Sequence, residues 1–292
     1  DDNTATSGLF SGPVMVATRY RIDNTAAADG SDANSGNWPY ETTDYIRDTT
    51  TDADGYTYAA TNGGVHKIDP NGNLVWKFTG HSGTVRSVAV GADGSVYSTS
   101  TDATVRKLDA DGNEVWSFAG HSSNVTDVAV DADGNAYSVS YDDTVRKIDA
   151  DGNEVWQDSG HASNVNAVSI DPAGNVYTGS RDDTVRKLDA DGQEVWSFAM
   201  DNNVYDVVAH PDGSVYATGH DNTVRKITAD GQEAWRVDGS GSGYGYRLSL
   251  DADDNLYAGF ADGEVKQIDP DGNQLWSQNY GELVRGLPVR PE

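Results

Sequence analysis

Cysteine is absent, which excludes disulfides, thiolate metal sites, iron–sulfur clusters and thiol nucleophiles. Basic residues are scarce: 20 Lys and Arg stand against 47 Asp and Glu, a net charge of −27. A chain this acidic is a poor match for a nucleic-acid backbone or an anionic membrane, both of which attract clustered cations. No apolar run is long enough for a bilayer-spanning helix, so membrane insertion by a helix is not expected. The sequence opens on Asp1 rather than Met, which suggests a processed chain or an excised piece.

What the sequence does have is Asp, Gly and aromatic residues. Seven Trp and fifteen Tyr, with alternating Val and Leu, supply enough apolar surface for an ordered core despite the charge. The acid excess, 39 Asp among the 47 acids, reads as a surface suited to concentrated salt, where hydrated carboxylates keep the chain soluble and repulsion is screened. The alternative is an acidic secreted protein of ordinary ionic strength.

The tryptophans reveal a repeat. Trp38, Trp76, Trp116, Trp156, Trp196, Trp235 and Trp276 lie 38, 40, 40, 40, 39 and 41 residues apart. Segments starting at Gly80, Gly120 and Gly160 align almost residue for residue. Each holds four short alternating runs, such as VTDVAV, NAYSVS, TVRKID and EVWQD, parted by Gly, Asp and Asn. These are strands, and no sustained helical period competes with them. A small four-stranded sheet cannot cover both its faces alone, but copies stacked around an axis cover one another. The expected fold is therefore all-β: a seven-bladed β-propeller with four-stranded blades, in a single domain spanning residues 1–292.

Complete units run from residue 45 to about Asn279, and one blade is left in pieces. VRGLPV at 284–289 matches an innermost strand, GPVMVATRYRID matches the next two, and Asn37, Trp38 and Pro39 occupy the outer-strand position. Residues 1–44 and 280–292 are thus expected to form the closing blade together, with DNTAAADGSDANSGN as an exposed insertion. Such a clasp would remove the sheet edge of an open ring. The alternative is six blades with a decorated amino terminus.

Gly80-His81, Gly120-His121 and Gly160-His161, each followed by a turn and a TVRKLD-like strand, resemble WD-repeat units over about half the ring. The third strand departs from that family, closing on Leu108-Asp109, Ile148-Asp149 and Leu188-Asp189 where Trp-Asp belongs. LDADGNEVW, with Trp in the fourth strand, is similar instead to the tryptophan-docking repeats of pyrroloquinoline-quinone-type propellers. Both resemblances imply a propeller and disagree on activity. They also point to secreted haloarchaeal proteins and tailed-virus particles, where similar propellers occur.

The histidines His81, His121 and His161 fall in separate blades and should not converge on one metal. The WD resemblance implies a structural role, with partners expected at Asp102, Asp142 and Asp182 and at Ser100, Ser140 and Ser180. One Trp per blade at a fixed position reads as packing between sheets. The DADGN turns use Asp and Asn to start the turn and Gly for positive φ; they lack the spacing of a calcium loop, so no specific metal site is expected. Arg106-Lys107, Arg146-Lys147, Arg186-Lys187 and Arg225-Lys226 alternate sides of a strand and should pair with acids. Asn124-Val125-Thr126 is a short glycosylation sequon in a loop.

The opposite face is where the copies diverge. One loop position reads Thr101, Tyr141, Arg181, His220 and Phe260 in successive units. Another, at the start of the innermost strand, reads Arg47, Arg86, Thr126, Asn166, Tyr205, Tyr246 and Arg285. Arg47, Arg86 and Arg285 should cluster in one sector as a local positive patch able to hold a carboxylate or sulfate, with Tyr205 and Tyr246 offering stacking surface. The competing expectation is that these arginines pair with Asp48, Asp127 and Asp206 and close the channel.

No nucleophile with an adjacent base, no HExxH and no phosphate-cradling loop is present, so no catalysis and no cofactor are expected. The sequence reading is a recognition or structural module on the outside of a halophilic cell or a virus infecting one. Its partner would be a protein or glycan bound by Arg47, Arg86, Arg285, Tyr205, Tyr246, Tyr141, Arg181, His220 and Phe260, within a larger assembly. A quinone-dependent dehydrogenase and an intracellular WD-type scaffold are the alternatives.

Overall fold

The structure is a computed structural model that describes residues 40, 42–241 and 243–281, and the strand backbones Val14–Val16, Arg21–Asp23 and Val284–Gly286. Six four-stranded antiparallel sheets follow one another along the chain, and no helix occurs among the described residues. We number them sheets 1 to 6 in chain order.

Sheet 2 illustrates the unit: Val85–Val90, Val96–Ser100, Val105–Leu108 and Glu114–Phe118, from the axis outward. Turn chemistry fixes its register. Asp109 Oδ1 accepts from the backbone N–H groups of Asp111 and Asn113, and Gly112 takes φ +86°, the left-handed region that glycine alone enters at little cost. The second strand is buried along its whole length, whereas the outer strand is half exposed.

The core lies between sheets rather than inside any one. Tyr58, Ala60 and Val65 of sheet 1 pack with Val85, Val88, Val96 and Leu108 of sheet 2, and Tyr97 and Val105 repeat this against Val125, Val128 and Ile148 of sheet 3. At about 1.5–3 kcal/mol for each large apolar side chain buried, these seams hold the disc together, and a lone sheet would forfeit most of the gain.

Tryptophan locks the five seams between consecutive four-stranded sheets at the rim. The indole N–H of Trp116 donates to Ala150 O of the next sheet at 3.0 Å, and its ring lies on Gly152, where a Cβ would come within 2.9 Å. Trp76, Trp156, Trp196 and Trp235 make the same bond to Ala110, Ala190, Ala229 and Pro270.

The chain ends meet. Val284–Gly286 pairs antiparallel with Val14–Val16, which pairs with Arg21–Asp23, giving a three-stranded sheet. Its innermost member, Val284–Gly286, touches Gly245–Leu250 on one side and Ile46–Thr51 on the other, so the innermost strands form a closed circuit. The strand expected at Asn37, Trp38 and Pro39 lies outside the described residues.

Candidate functional site

The variable position of the innermost strand is a β-bulge. In sheet 1, Ile46 faces Thr61 and Asp48 faces Ala60, leaving Arg47 as the extra residue. The same skip isolates Arg86, Thr126, Asn166, Tyr205 and Tyr246 in the other five sheets. A bulge bends the strand and re-aims one side chain. All six bulge residues line one cavity of about 500 Å³ at the axis, joined there by Tyr141 and Arg181 from the neighbouring loops.

The cations are held differently. Arg47 lies over the Tyr45 ring, 4.5 Å from its centroid, and donates from Nε to Asn62 at 3.2 Å. Arg181 stacks on Tyr141 at 4.8 Å, donates to its hydroxyl at 2.6 Å and to Asn166 at 3.3 Å. Arg86, half-buried, makes no hydrogen bond or ion pair among the described residues. The side chain of Arg285 lies outside the described residues.

Opposite the Arg47–Arg86 sector, Tyr205, Tyr244 and Tyr246 form an aromatic cluster with centroids 5.2–6.2 Å apart. His220 does not line the cavity; it stacks on Tyr244 at 5.3 Å and meets Tyr205 edge-on. Phe260 is not part of the open face at all. It is 1% exposed and belongs to the core between sheets 5 and 6, where Gly239 leaves room for its ring at a place a Cβ would approach to 2.8 Å. Thr101 caps its own loop, accepting from Thr84 N at 2.9 Å.

Asp48, Asp127 and Asp206 do not neutralise the bulge arginines. They lace adjacent sheets: Asp48 accepts from Val88 N at 3.1 Å, Asp127 from Val168 N at 2.9 Å and Asp206 from Leu248 N at 2.8 Å. Ser87 donates to both Asp48 and Asp127. The cation among these carboxylates is Arg247, which follows the sixth bulge and was not singled out from the sequence. Burial opposes its charge, but Asp206, then Tyr246, Asp48 and Asp127 outweigh that and hold it firmly protonated. Desolvation, followed by repulsion from Asp48, raises the Asp127 carboxyl. Desolvation likewise lifts Asp206 to about 7, with Arg247 pulling the other way. One signal did exist in the sequence: the position after the bulge reads Asp48, Ser87, Asp127, Ala167, Asp206, Arg247.

The remaining motifs are structural. His81 and His121 place Nδ1 on Asp102 and Asp142 at 3.1 and 3.0 Å, and His161 does so with Asp182 at 2.8 Å. Their Nε2 partners are Ser98, Ser138 and Thr178, two residues before the serines expected, because a buried second strand points every other side chain at the imidazole. Ser100 instead accepts from Asp102 N, and Ser140 and Ser180 donate to loop carbonyls. In the Arg-Lys pairs each arginine meets an acid, as Arg146 does Glu154, while Lys107, Lys147, Lys187 and Lys226 sit over tyrosine rings. No cluster of three or more metal-ligating side chains occurs among the described residues.

Interlocked antiparallel sheets, a docked tryptophan in each of the first five and an axial cavity define a propeller built from PQQ-like repeats. A family model described as outer membrane protein assembly factor BamB matches residues 61–173 and again 166–285, and the chain belongs to this PQQ-like repeat family. Among solved structures it is similar to the computationally designed Ika8 protein, at 21% identity and a TM-score of 0.74, over 86% of this chain and 79% of that one. That likeness concerns the fold alone. No curated protein matches the chain.

Proposed function

We propose that the chain is a seven-bladed recognition propeller without catalysis, which binds a protein or glycan partner through its axial cavity. The observation that carries this reading is the bulge. Six sheets repeat one framework of strands and turns, yet the residue that each bulge aims at the axis is Arg in the first two, then Thr, then Asn, and Tyr in the last two, and all six share one cavity. Thr126 and Asn166 also tie their sheets to the next, donating to Val165 O and Val204 O, but packing gives no reason for arginines on one side of the cavity and tyrosines on the other, whereas a single asymmetric partner does.

The three-stranded sheet that joins Val284–Gly286 to Val14–Val16 and Arg21–Asp23 supports a seventh blade. A net charge of −27 supports operation in concentrated salt, on the outside of a halophilic cell or a virus particle infecting one. The family's description as an assembly factor suits a place in a larger assembly.

Arg86→Glu tests the reading, because Arg86 supports nothing else among the described residues. Binding to co-purifying partners should fall about tenfold or more, with thermal unfolding nearly unchanged. Unaltered binding would overturn the assignment of the cavity. A quinone absorption band in the native protein, or dye reduction after cofactor is added, would overturn its non-enzymatic character.

A further inference from the structure

We propose that the axial cavity binds an acidic sugar, with Arg86 taking its carboxylate or sulfate, the Tyr205–Tyr244–Tyr246 cluster carrying its ring face, and Asp48 and Asp206 accepting from its hydroxyls. This deepens the recognition reading and rests on it.

The size and enclosure of the site come first. About 500 Å³ falls within the range of small-molecule pockets and is too confined for a flat protein surface. Charge comes next. Among the described residues, Arg47, Arg86, Arg181 and Arg247 face Asp48, Asp127 and Asp206, an excess of one cation within a molecule of net charge −27. The excess is directional, because Arg181 is engaged by Tyr141 and Asn166 and Arg47 by Tyr45 and Asn62, while Arg86 has no partner among the described residues. A half-buried guanidinium left without an acceptor is the group that an anion would complete.

The carboxylates narrow the ligand further. An acidic peptide side chain brings acceptors only and would be repelled by Asp48 and Asp206. A sugar acid brings one anionic group and several O–H donors, so both signs of lining charge find a match. Tyrosines at 5.2–6.2 Å from one another present broad apolar ring surface with hydroxyl edges, which suits the C–H face of a pyranose.

The test is calorimetric titration of the folded chain in fixed, moderately high salt. Glucuronate, glucose, a glucuronate-terminated oligosaccharide and an oligoglutamate peptide are the probes. Glucuronate should bind at least about tenfold more tightly than glucose, and Arg86→Gln should remove that preference. Arg106→Gln, at the rim, should leave it intact. Tyr244→Ala should weaken both sugars together. The oligosaccharide binding much more tightly than the monosaccharide would make the source a glycan end; equal affinity would make it the free acid, and either supports the site. Equal binding of glucose and glucuronate, no binding of either, or tighter binding of the peptide would overturn the proposal. If no sugar binds while Arg86→Glu still releases a native partner, this inference fails and the recognition reading stands.

Discussion

Arg247→Met removes the cation that acts on Asp206 among the described residues while nearly keeping the side-chain volume, and the consequence depends on pH. Desolvation lifts Asp206 from 3.8 to about 7 even with the guanidinium beside it. A carboxyl raised in the native state binds its proton more tightly there than in the unfolded chain. It therefore costs stability progressively as pH climbs from its unfolded value through its folded one. Arg247 limits that cost. Without it, Asp206 and Asp127 should titrate higher still, and at about pH 8.5 the native state would hold uncompensated charge. Removing one member of a fully buried ion pair costs about 3–5 kcal/mol, and no more than the lower end applies to Asp206, which feels Arg247 through its charge, faces the cavity and is only half-buried. At roughly 2–4 °C per kcal/mol, melting should fall by about 6–12 °C at pH 8.5 and by much less near pH 5, where the Asp206 carboxyl is protonated. Thermal unfolding followed by circular dichroism in constant salt reads this directly. Adding Asp206→Asn to Arg247→Met should restore much of the loss at the higher pH. A drop of equal size at both pH values would refute the electrostatic role and leave only packing.

Three further outcomes follow from the repeat itself. Gly152→Ala places a methyl 2.9 Å from the Trp116 ring at φ +91°, and denaturant titration should show a loss of about 1–3 kcal/mol; an unchanged midpoint would contradict the docking role of the indole. Burial alone would raise Asp102, but hydrogen bonds from Thr104 and the neighbouring His81 outweigh it and hold the carboxyl at about 2. The stability it supplies is complete above the unfolded value of 3.8 and drains away as pH falls towards 2, so Asp102→Asn should flatten the acid limb of the stability curve in that window. His210 replaces the turn aspartate that accepts from Tyr58, Tyr137 and Tyr177 in other sheets, leaving the buried Tyr216 hydroxyl without a partner among the described residues. His210→Asp should stabilise by about 1 kcal/mol; a loss would mean that the imidazole contacts to Asp212 and Asp254 matter more.

The sheets were legible because copies of one unit expose their period directly: Trp, turn Asp and Gly return at fixed offsets, and strand alternation follows from the pleat. The bulge residues were legible for the complementary reason, as the positions at which copying stops. Their bulged geometry was not, since a one-residue skip leaves the alternation intact on either side. The burial of Phe260 is not legible, because its position aligns with exposed loop residues and it is Gly239 that leaves room for the ring to fold inward. Arg247 is hard to read from the sequence because it sits one residue past the divergent position, where three of the other five sheets carry aspartate. The histidine hydroxyl partners slipped by two residues, a shift that keeps the strand face and changes only the depth.

Closure of the ring by the two chain ends is what gathers the divergent residues around one axis, and an engineered disulfide tests it most directly. Val16 and Val284 are paired in register, and the native chain contains no cysteine to compete. In Val16→Cys/Val284→Cys, mild oxidation of the folded protein should form the bond nearly completely, raise the melting temperature and leave the sheet spectrum unchanged. Two thiols that stay free in the native state, or that pair only after unfolding, would contradict the closed ring.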